Sequence, residues 1–125
     1  MALKLFWIAL AGACGTLARY SLSATVHRWF GSAFPWATAT VNILGCFLFG
    51  LIWAVAVERS AISPEFRTVL LVGFMGAFTT FSTFISETGH LIDERALLLA
   101  LANIALQVMI GLAAFFLGLS LARAV

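Results

Sequence analysis

Four long apolar stretches, separated by short polar loops, constrain this chain more than any other feature. A bilayer core about 30 Å thick takes about 20 apolar residues per helix, so four such stretches use nearly all of the 125 residues. Only 10% of the residues are charged, whereas a soluble domain carries about 25%. The sequence therefore predicts one all-α, multi-pass membrane domain over residues 1–125, with transmembrane helices at about 3–29, 36–57, 64–91 and 96–122.

The charged residues exclude one class of partner and leave the membrane orientation weakly determined. The formal net charge is +2 and no run of Lys or Arg exists, so nucleic acid is not an expected partner. Lys and Arg in short loops set the orientation of membrane helices, and the bias here is small. One side carries Lys4, Arg59, Arg67 and Arg123, and the other carries Arg28 and Arg95, with Arg19 able to reach it. The chain is therefore compatible with insertion in both orientations.

Covalent chemistry is not expected of this chain. No nucleophile, base and orienting group converge in the sequence. Cys14 and Cys46 lie inside apolar stretches, without the His or Cys neighbours of a metal site, and free thiols packed between helices explain both. We therefore expect a protein that moves or conducts a small solute, not an enzyme.

The middle of the third span is anomalous for a membrane helix. Gly73 and Gly76 precede the segment TTFSTF at 79–84, which places four hydroxyls within five residues at bilayer depth. Polar groups there are costly unless they are buried in protein or line a water-filled path. β-Branched threonines are poor helix formers, and a local break would leave carbonyls free to bind a cation. We predict a broken helix with a functional role, and simple helix packing is the alternative.

Two phenylalanines and an asparagine are further candidates near this segment. Phe81 and Phe84 are three residues apart and share a helix face, where the positive ring edges could receive a small anion. From spacing alone, ordinary core or lipid-facing packing explains them better. Asn42 lies in the middle of the second span, and its amide can either donate to an anion or bridge helices. The sequence alone does not decide between these two roles.

Four other polar residues lie within or close to the spans. Arg19 and Glu87 are ionisable groups near helix ends, and a charge in a span is a functional candidate by default. Snorkelling to the interface also explains Arg19. Asn103 and Gln107 stand four residues apart on the fourth span. Hydrogen bonding between helices is their expected role.

Three segments together resemble the Fluc family of bacterial fluoride channels, also called CrcB proteins. They are GACGTLARY at 12–20, TATVNILG at 38–45 and GFMGAFTTFSTF at 73–84, the last followed by Ser86 and Glu87. The length and the four-span layout also fit, so the resemblance covers essentially the whole chain. It implies an antiparallel, dual-topology homodimer in the bacterial plasma (inner) membrane that exports fluoride passively and so protects against its toxicity.

The resemblance also implies roles for particular residues. Family members hold a structural sodium ion, which is not transported, on backbone carbonyls that correspond here to Gly76 and Thr79. Two fluoride pores lie at the dimer interface. The positions that match the anion path are Asn42, Phe81, Ser82, Thr83 and Phe84, and the candidates for the pore mouth are Arg19 and Glu87.

Two departures from the family pattern and two rival functions accompany this assignment. The fourth span carries AAFF at 113–116 where relatives have Ser or Thr, and position 85 is Ile in place of Ser, so the resemblance does not extend to a polar track built on those hydroxyls. One rival is a four-helix proton-coupled transporter, which needs a membrane carboxylate. The first span has Arg19 and no Asp or Glu, which argues against it. The other rival is a membrane assembly subunit, whose midplane residues would serve packing only.

Overall fold

Four membrane-spanning segments make up the chain in the computed structural model, which describes residues 1–59 and 61–124. All four are long and apolar enough to cross a bilayer, which confirms the predicted all-α architecture of four spans. Predicted and observed bounds differ by less than one helical turn. Parts of the predicted second loop (Ser60) and of the predicted domain (Val125) lie outside the described residues. The observed segments are Ala2–Phe30, Trp36–Glu58, Pro64–Asp93 and Leu97–Ala124.

The third segment consists of two helices. We number the helices α1 (Ala2–Phe30), α2 (Trp36–Glu58), α3 (64–78), α4 (Phe81–Asp93) and α5 (Leu97–Ala124). Between α3 and α4 the backbone is extended at Thr79 (φ −84°, ψ 159°) and at Thr80 (φ −149°, ψ 110°). Helical hydrogen bonding therefore stops in the middle of a span, at the polar cluster of the sequence.

Local chemistry explains where several of the helices begin and end. The Ser63 hydroxyl accepts a hydrogen bond from the Phe66 amide (3.3 Å), and Pro64 occupies the first position of α3. Both features favour a helix start, as the sequence predicts at this point. Gly31, with φ of 71°, ends α1 in a conformation that side chains disfavour. Arg95, with φ of 60°, forms the turn between α4 and α5.

Helices α2 and α5 form the most extensive contact in the chain. They approach until backbone meets backbone: a Cβ added at Gly50 would overlap the Phe115 carbonyl, and one at Gly118 would overlap the Phe47 carbonyl. In lipid no hydrophobic force draws helices together, so close contact at small residues supplies the attraction. These glycines therefore hold the two helices at a fixed distance.

Helices α1, α2 and α3 pack around a small apolar core. A Cβ added at Gly15 of α1 would overlap the Phe74 carbonyl of α3. Val41, Met75 and Phe78 form a buried cluster beside this contact. Because two of these residues belong to the last turn of α3, the core holds the end of that helix immediately before the extended residues.

Candidate functional site

The amide of Asn42 joins α2 to the extended residues between α3 and α4. Its Oδ1 accepts a hydrogen bond from the Thr80 amide (2.9 Å), and its Nδ2 donates to the Thr80 carbonyl (3.0 Å). One side chain thus satisfies both backbone polar groups of Thr80, which must find partners inside a membrane. The sequence left two roles open for Asn42, and the structure shows the one in which its amide bridges helices.

Two carbonyls, one in the last turn of α3 and one in the extended residues, lack the donors that a continuous helix would supply. The Thr80 amide, which would bond to the Gly76 carbonyl, donates instead to Asn42. The Thr83 amide, which would bond to the Thr79 carbonyl, donates instead to the Thr80 hydroxyl (3.4 Å). Carbonyl oxygens released in this way present negative dipoles that suit a hard cation.

A chain of hydrogen bonds, partly buried at Asn42 and buried beyond it, leads from Asn42 through α5 to α4. Asn42 Nδ2 also donates to Gln107 Oε1 (2.7 Å), and Gln107 Nε2 donates to Asn103 Oδ1 (2.9 Å). Asn103 Nδ2 donates to the Thr88 hydroxyl (2.9 Å), which donates to the Phe84 carbonyl (2.7 Å). The predicted hydrogen bonding between helices by Asn103 and Gln107 is confirmed.

These two amides also change the expectation for the last span. The sequence offers no hydroxyl at 113–116, but Asn103 and Gln107 turn buried amides towards the other helices from the first half of α5. Gln107 lies in a widened, π-type turn at Leu106–Ile110, and such turns are frequent at functional sites. The buried polar groups that α5 contributes to the site, Asn103 and Gln107, therefore lie in its N-terminal half.

A groove of about 500 Å³ opens beside Asn42 and Gln107. Its wall is mostly apolar and aromatic, and among the described residues it contains no Asp, Glu, Lys or Arg. The Cys46 thiol, expected to pack between helices, is part of this wall. The lining residues are Asn42, Gly45, Cys46, Phe49, Thr79, Thr80, Phe81, Phe84, Gln107, Val108, Gly111, Leu112 and Phe115.

The two phenylalanines of α4 touch but differ in exposure. Their ring centroids are 5.7 Å apart, with the planes tilted by 53°. Phe84 is 6% exposed, whereas Phe81 is 74% exposed. Ser82 and Thr83 are exposed as well. A single copy of the chain therefore leaves one ring and two hydroxyls uncovered in the middle of a span.

Glu87 belongs to a different cavity from the groove. The Thr38 hydroxyl donates to Glu87 Oε1 (2.7 Å), and Oε2 is buried with no hydrogen-bond partner among the described residues. The cavity beside it, of about 280 Å³, is also lined by the α1–α2 turn, His27, His90 and Glu94. Glu87 thus lies at the end of the molecule where α1 meets α2, about two turns along α4 from the extended residues.

Arg19 stands apart from both cavities. It belongs to the lining of neither one, and within residues 1–59 and 61–124 its side chain has no hydrogen-bond or ion-pair partner.

Two threonines, Thr38 and Thr88, take part in the polar contacts although the sequence did not single them out. An isolated Thr in an apolar helix is a weak signal because its hydroxyl can bond back to its own helix.

Fold and site together define a class of protein. The chain is a four-span membrane protein in which an interrupted helix, two amides and several hydroxyls meet at a groove in the middle of the membrane. Neutral donors of this kind can bind a small polar solute and release it again. No pair of groups in the described part of the groove is arranged as a nucleophile and its base.

Comparison with known proteins identifies the family. Residues 6–119 match the model of the family described as CrcB-like protein, Camphor Resistance (CrcB), and the chain belongs to this family. A protein of Solidesulfovibrio magneticus is 59% identical over 120 residues, which are 96% of each chain. Proteins of Nitrosococcus oceani and Desulforapulum autotrophicum are 52% and 50% identical over 120 residues, again 96% of each chain.

All three relatives are named fluoride-specific ion channel FluC. The family resemblance that the three motifs indicate is therefore confirmed. So is the expectation about chemistry, because the members of this family are ion channels and not enzymes.

Proposed function

We propose that this chain is a fluoride-selective channel that exports fluoride passively across the bacterial plasma membrane and so limits fluoride toxicity. The observation that carries the proposal is the uncharged groove at mid-span, lined by amides, hydroxyls and aromatic rings, in a chain 59% identical to a fluoride-specific channel. Fluoride is small and strongly hydrated, so a pore must replace its water with close donors. Neutral donors do this without the fixed cation that would trap the ion.

The proposed anion path runs over the groove and the exposed start of α4. Phe81 and Phe84 offer ring edges, and Ser82 and Thr83 offer hydroxyls beside them. Asn42 lies at the inner wall of the same groove. Glu87, and more remotely Arg19, would act on the ion at the mouth of the path and not within the groove.

The proposed assembly is an antiparallel homodimer. The support is the surface that one copy leaves open, where Gly76, Ser82, Thr83 and Phe81 are exposed at mid-span. Hydroxyls and backbone facing lipid there are unfavourable, and a second copy in the opposite orientation would cover them. The small Lys and Arg bias permits both orientations. Reporter fusions at the C-terminus should report both, and a single strict orientation would contradict the proposal.

The proposed metal is a structural sodium ion at the centre of that dimer. The Gly76 and Thr79 carbonyls fit it, because their helical donors are directed elsewhere and oxygen ligands suit a hard cation. The ion would neutralise the dipoles of four carbonyls brought together by two copies. Replacing sodium by a large organic cation should lower dimer stability or fluoride flux, and indifference to this exchange would count against the site.

The deciding experiment is fluoride efflux from liposomes that contain only the purified protein. We expect passive fluoride release, far faster than chloride release. A requirement for a proton gradient would support the transporter alternative instead. Liposomes that retain their fluoride would support the assembly-subunit alternative, in which the polar residues serve packing.

A further inference from the structure

The hydrogen-bond chain from Asn42 to Phe84 begins and ends on the backbone of the same segment. At one end Asn42 bonds to both backbone polar groups of Thr80. At the other end the Thr88 hydroxyl donates to the Phe84 carbonyl. Between these points lie only the two amides of α5, Gln107 and Asn103. Hydrogen bonds thus hold both ends of the first turn of α4, at Thr80 and at Phe84, and the chain that connects them passes through α5.

The chain has a direction, which its last acceptor determines. A backbone carbonyl can only accept, so Thr88 must donate to Phe84 and accept from Asn103. Asn103 then presents its carbonyl oxygen to Gln107. Gln107 in turn presents Oε1 to Asn42. Each amide is therefore held in one of its two possible orientations.

The orientation of Asn42 matters because its two ends are not equivalent at Thr80. In the observed orientation Oδ1 faces the Thr80 amide and Nδ2 faces the Thr80 carbonyl. Rotation of the amide by 180° would oppose oxygen to oxygen and N–H to N–H at Thr80, and would also place Oδ1 against Gln107 Oε1. In a partly buried site within a membrane span an unmatched polar contact of this kind is expensive.

We infer that Gln107 is a positioning residue, which holds the Asn42 amide in the orientation that bonds to both backbone polar groups of Thr80 (the clamp) and thereby fixes the extended residues beside the proposed path for ion passage. Gln107 reaches Asn42 across the contact of α2 with α5 and is itself buried. With both Nδ2 hydrogens and Oδ1 engaged, Asn42 has no free donor. Asn42 therefore contributes to the proposed path by shaping the start of α4, while the hydroxyls and ring edges there supply the contacts to the ion. The part of this inference that concerns ion passage rests on the proposed function, whereas the clamp itself does not.

The test measures the clamp directly, through hydrogen exchange of the Thr80 amide, read by NMR of the labelled protein in lipid nanodiscs. Gln107→Met keeps the length of the side chain and removes both of its hydrogen bonds. Gln107→Glu keeps an acceptor for Asn42 and removes the donor to Asn103. Ile104→Met, at a 40% exposed position of α5, is the matched control.

We expect Gln107→Met to lower Thr80 protection by about fivefold or more, the equilibrium factor for one net hydrogen bond, and the Glu and control variants to retain most of it. Unchanged protection in Gln107→Met would overturn the inference. Equal loss in the Met and Glu variants would also overturn it, because the acceptor for Asn42 would then not be what matters. If Gln107→Met does not assemble, Gln107→Leu repeats the test.

Fluoride efflux from liposomes separates positioning from general packing. In an Asn42→Ala background, Gln107→Met should lower flux no further, because Gln107 acts through Asn42. If instead the double variant shows a flux reduced by the product of the two single-variant factors, the two residues act independently and the inference is contradicted. If the wild-type protein releases no fluoride, the proposed channel function fails, while the exchange measurements at Thr80 still decide whether Gln107 sets the clamp.

Discussion

Helices α2 and α5 contact each other in two different ways along their length. Around Gly50 and Gly118 their backbones touch, with no room for a single added carbon. Around Asn42 and Gln107 they are joined by one hydrogen bond between amides (2.7 Å), beside a groove of about 500 Å³. The first contact has no polar side chain, and the second depends on polarity and direction.

This difference separates two demands on a small membrane protein. The glycine contact fixes the distance between the helices, and it is sensitive to size alone. The amide contact determines which way a few side chains point, and it is sensitive to the exchange of a donor for an acceptor. A function that needs a defined polar surface in lipid requires both, because the second contact exists only where the first holds the helices in place.

The largest effect is expected from adding carbons at the glycine contact. The double variant Gly50→Ala, Gly118→Ala should lose the folded protein, since each Cβ overlaps a carbonyl that cannot move without separating the helices. Each single variant should lower the melting midpoint by several degrees. The measurements are recovery of monodisperse protein from mild detergent and thermal unfolding.

Gly89→Ala is the matched control for this prediction. A Cβ there meets no atom within 4 Å, and replacing Gly by Ala in a helix usually stabilises it, by roughly 0.5–1 kcal/mol. Replacing Gly by Ala should therefore raise the stability of the protein at Gly89 and lower it at Gly50 or Gly118. Equal behaviour of Gly89→Ala and Gly118→Ala would show that the glycine contact is not what holds α2 against α5.

The next largest effect is expected on fluoride flux, at the two phenylalanines that line the groove beside the polar contact. Phe81→Ile and Phe84→Ile keep most of the bulk and remove the aromatic quadrupole. If the rings are filler, each change should cost under about 1.5 kcal/mol and leave efflux nearly intact. If their edges replace the water of fluoride, efflux should collapse while the proposed dimer still assembles. Both variants are measured for dimer retention and for fluoride efflux.

Phe66→Ile, at a 52% exposed position near the start of α3, serves as the control for both variants. Packing within one copy predicts a loss of monomer stability for Phe84→Ile, which is 6% exposed, and none for Phe81→Ile, which is 74% exposed. Wild-type efflux in both variants would reject the action of ring edges on the ion, although not the channel function.

A smaller effect is expected from the hydroxyl that holds Glu87. Thr38→Val removes the hydrogen bond to Oε1 (2.7 Å) with little change of shape, and Oε2 already lacks a partner among the described residues. Removing one buried partner costs about 1–3 kcal/mol, so the melting midpoint should fall measurably. Thr25→Val is the control, because that hydroxyl bonds to the Ser21 carbonyl of its own helix and, within residues 1–59 and 61–124, to no other helix. Equal midpoints for the two variants would contradict the importance of the Thr38 contact.

The smallest effect is expected at the ion pair of Glu58 with Arg123, which joins the ends of α2 and α5 beyond the glycine contact. Their side chains are 33% and 55% exposed, and exposed pairs contribute little. Glu58→Gln should leave the melting midpoint and the efflux close to wild type, at low and at high salt alike. A large loss of stability would mean that this end depends on charge as well as on glycine packing.

The sequence by itself determined the class of protein, the number of spans and the family. These follow from properties that are local in the chain: apolar length sets the spans, Ser63 and Pro64 start a helix, and the motifs around Asn42 and the polar cluster at 79–84 mark the family. The location of the extended residues also has a local reason, since the glycine and threonines there form a poor helix interior.

The tertiary structure decided how the polar groups are paired. Nothing in the sequence connects Asn42 with Thr80 and Gln107, or Thr38 with Glu87, because these partners are 38 to 65 positions apart. Asn and Thr each have several possible partners, and only the packing of one helix against another selects among them. The glycine contacts of α2 with α5 make that selection for Asn42 and Gln107. Gly45, where an added Cβ would overlap the Thr79 side chain, marks the close approach of α2 to the extended residues that brings Asn42 to Thr80.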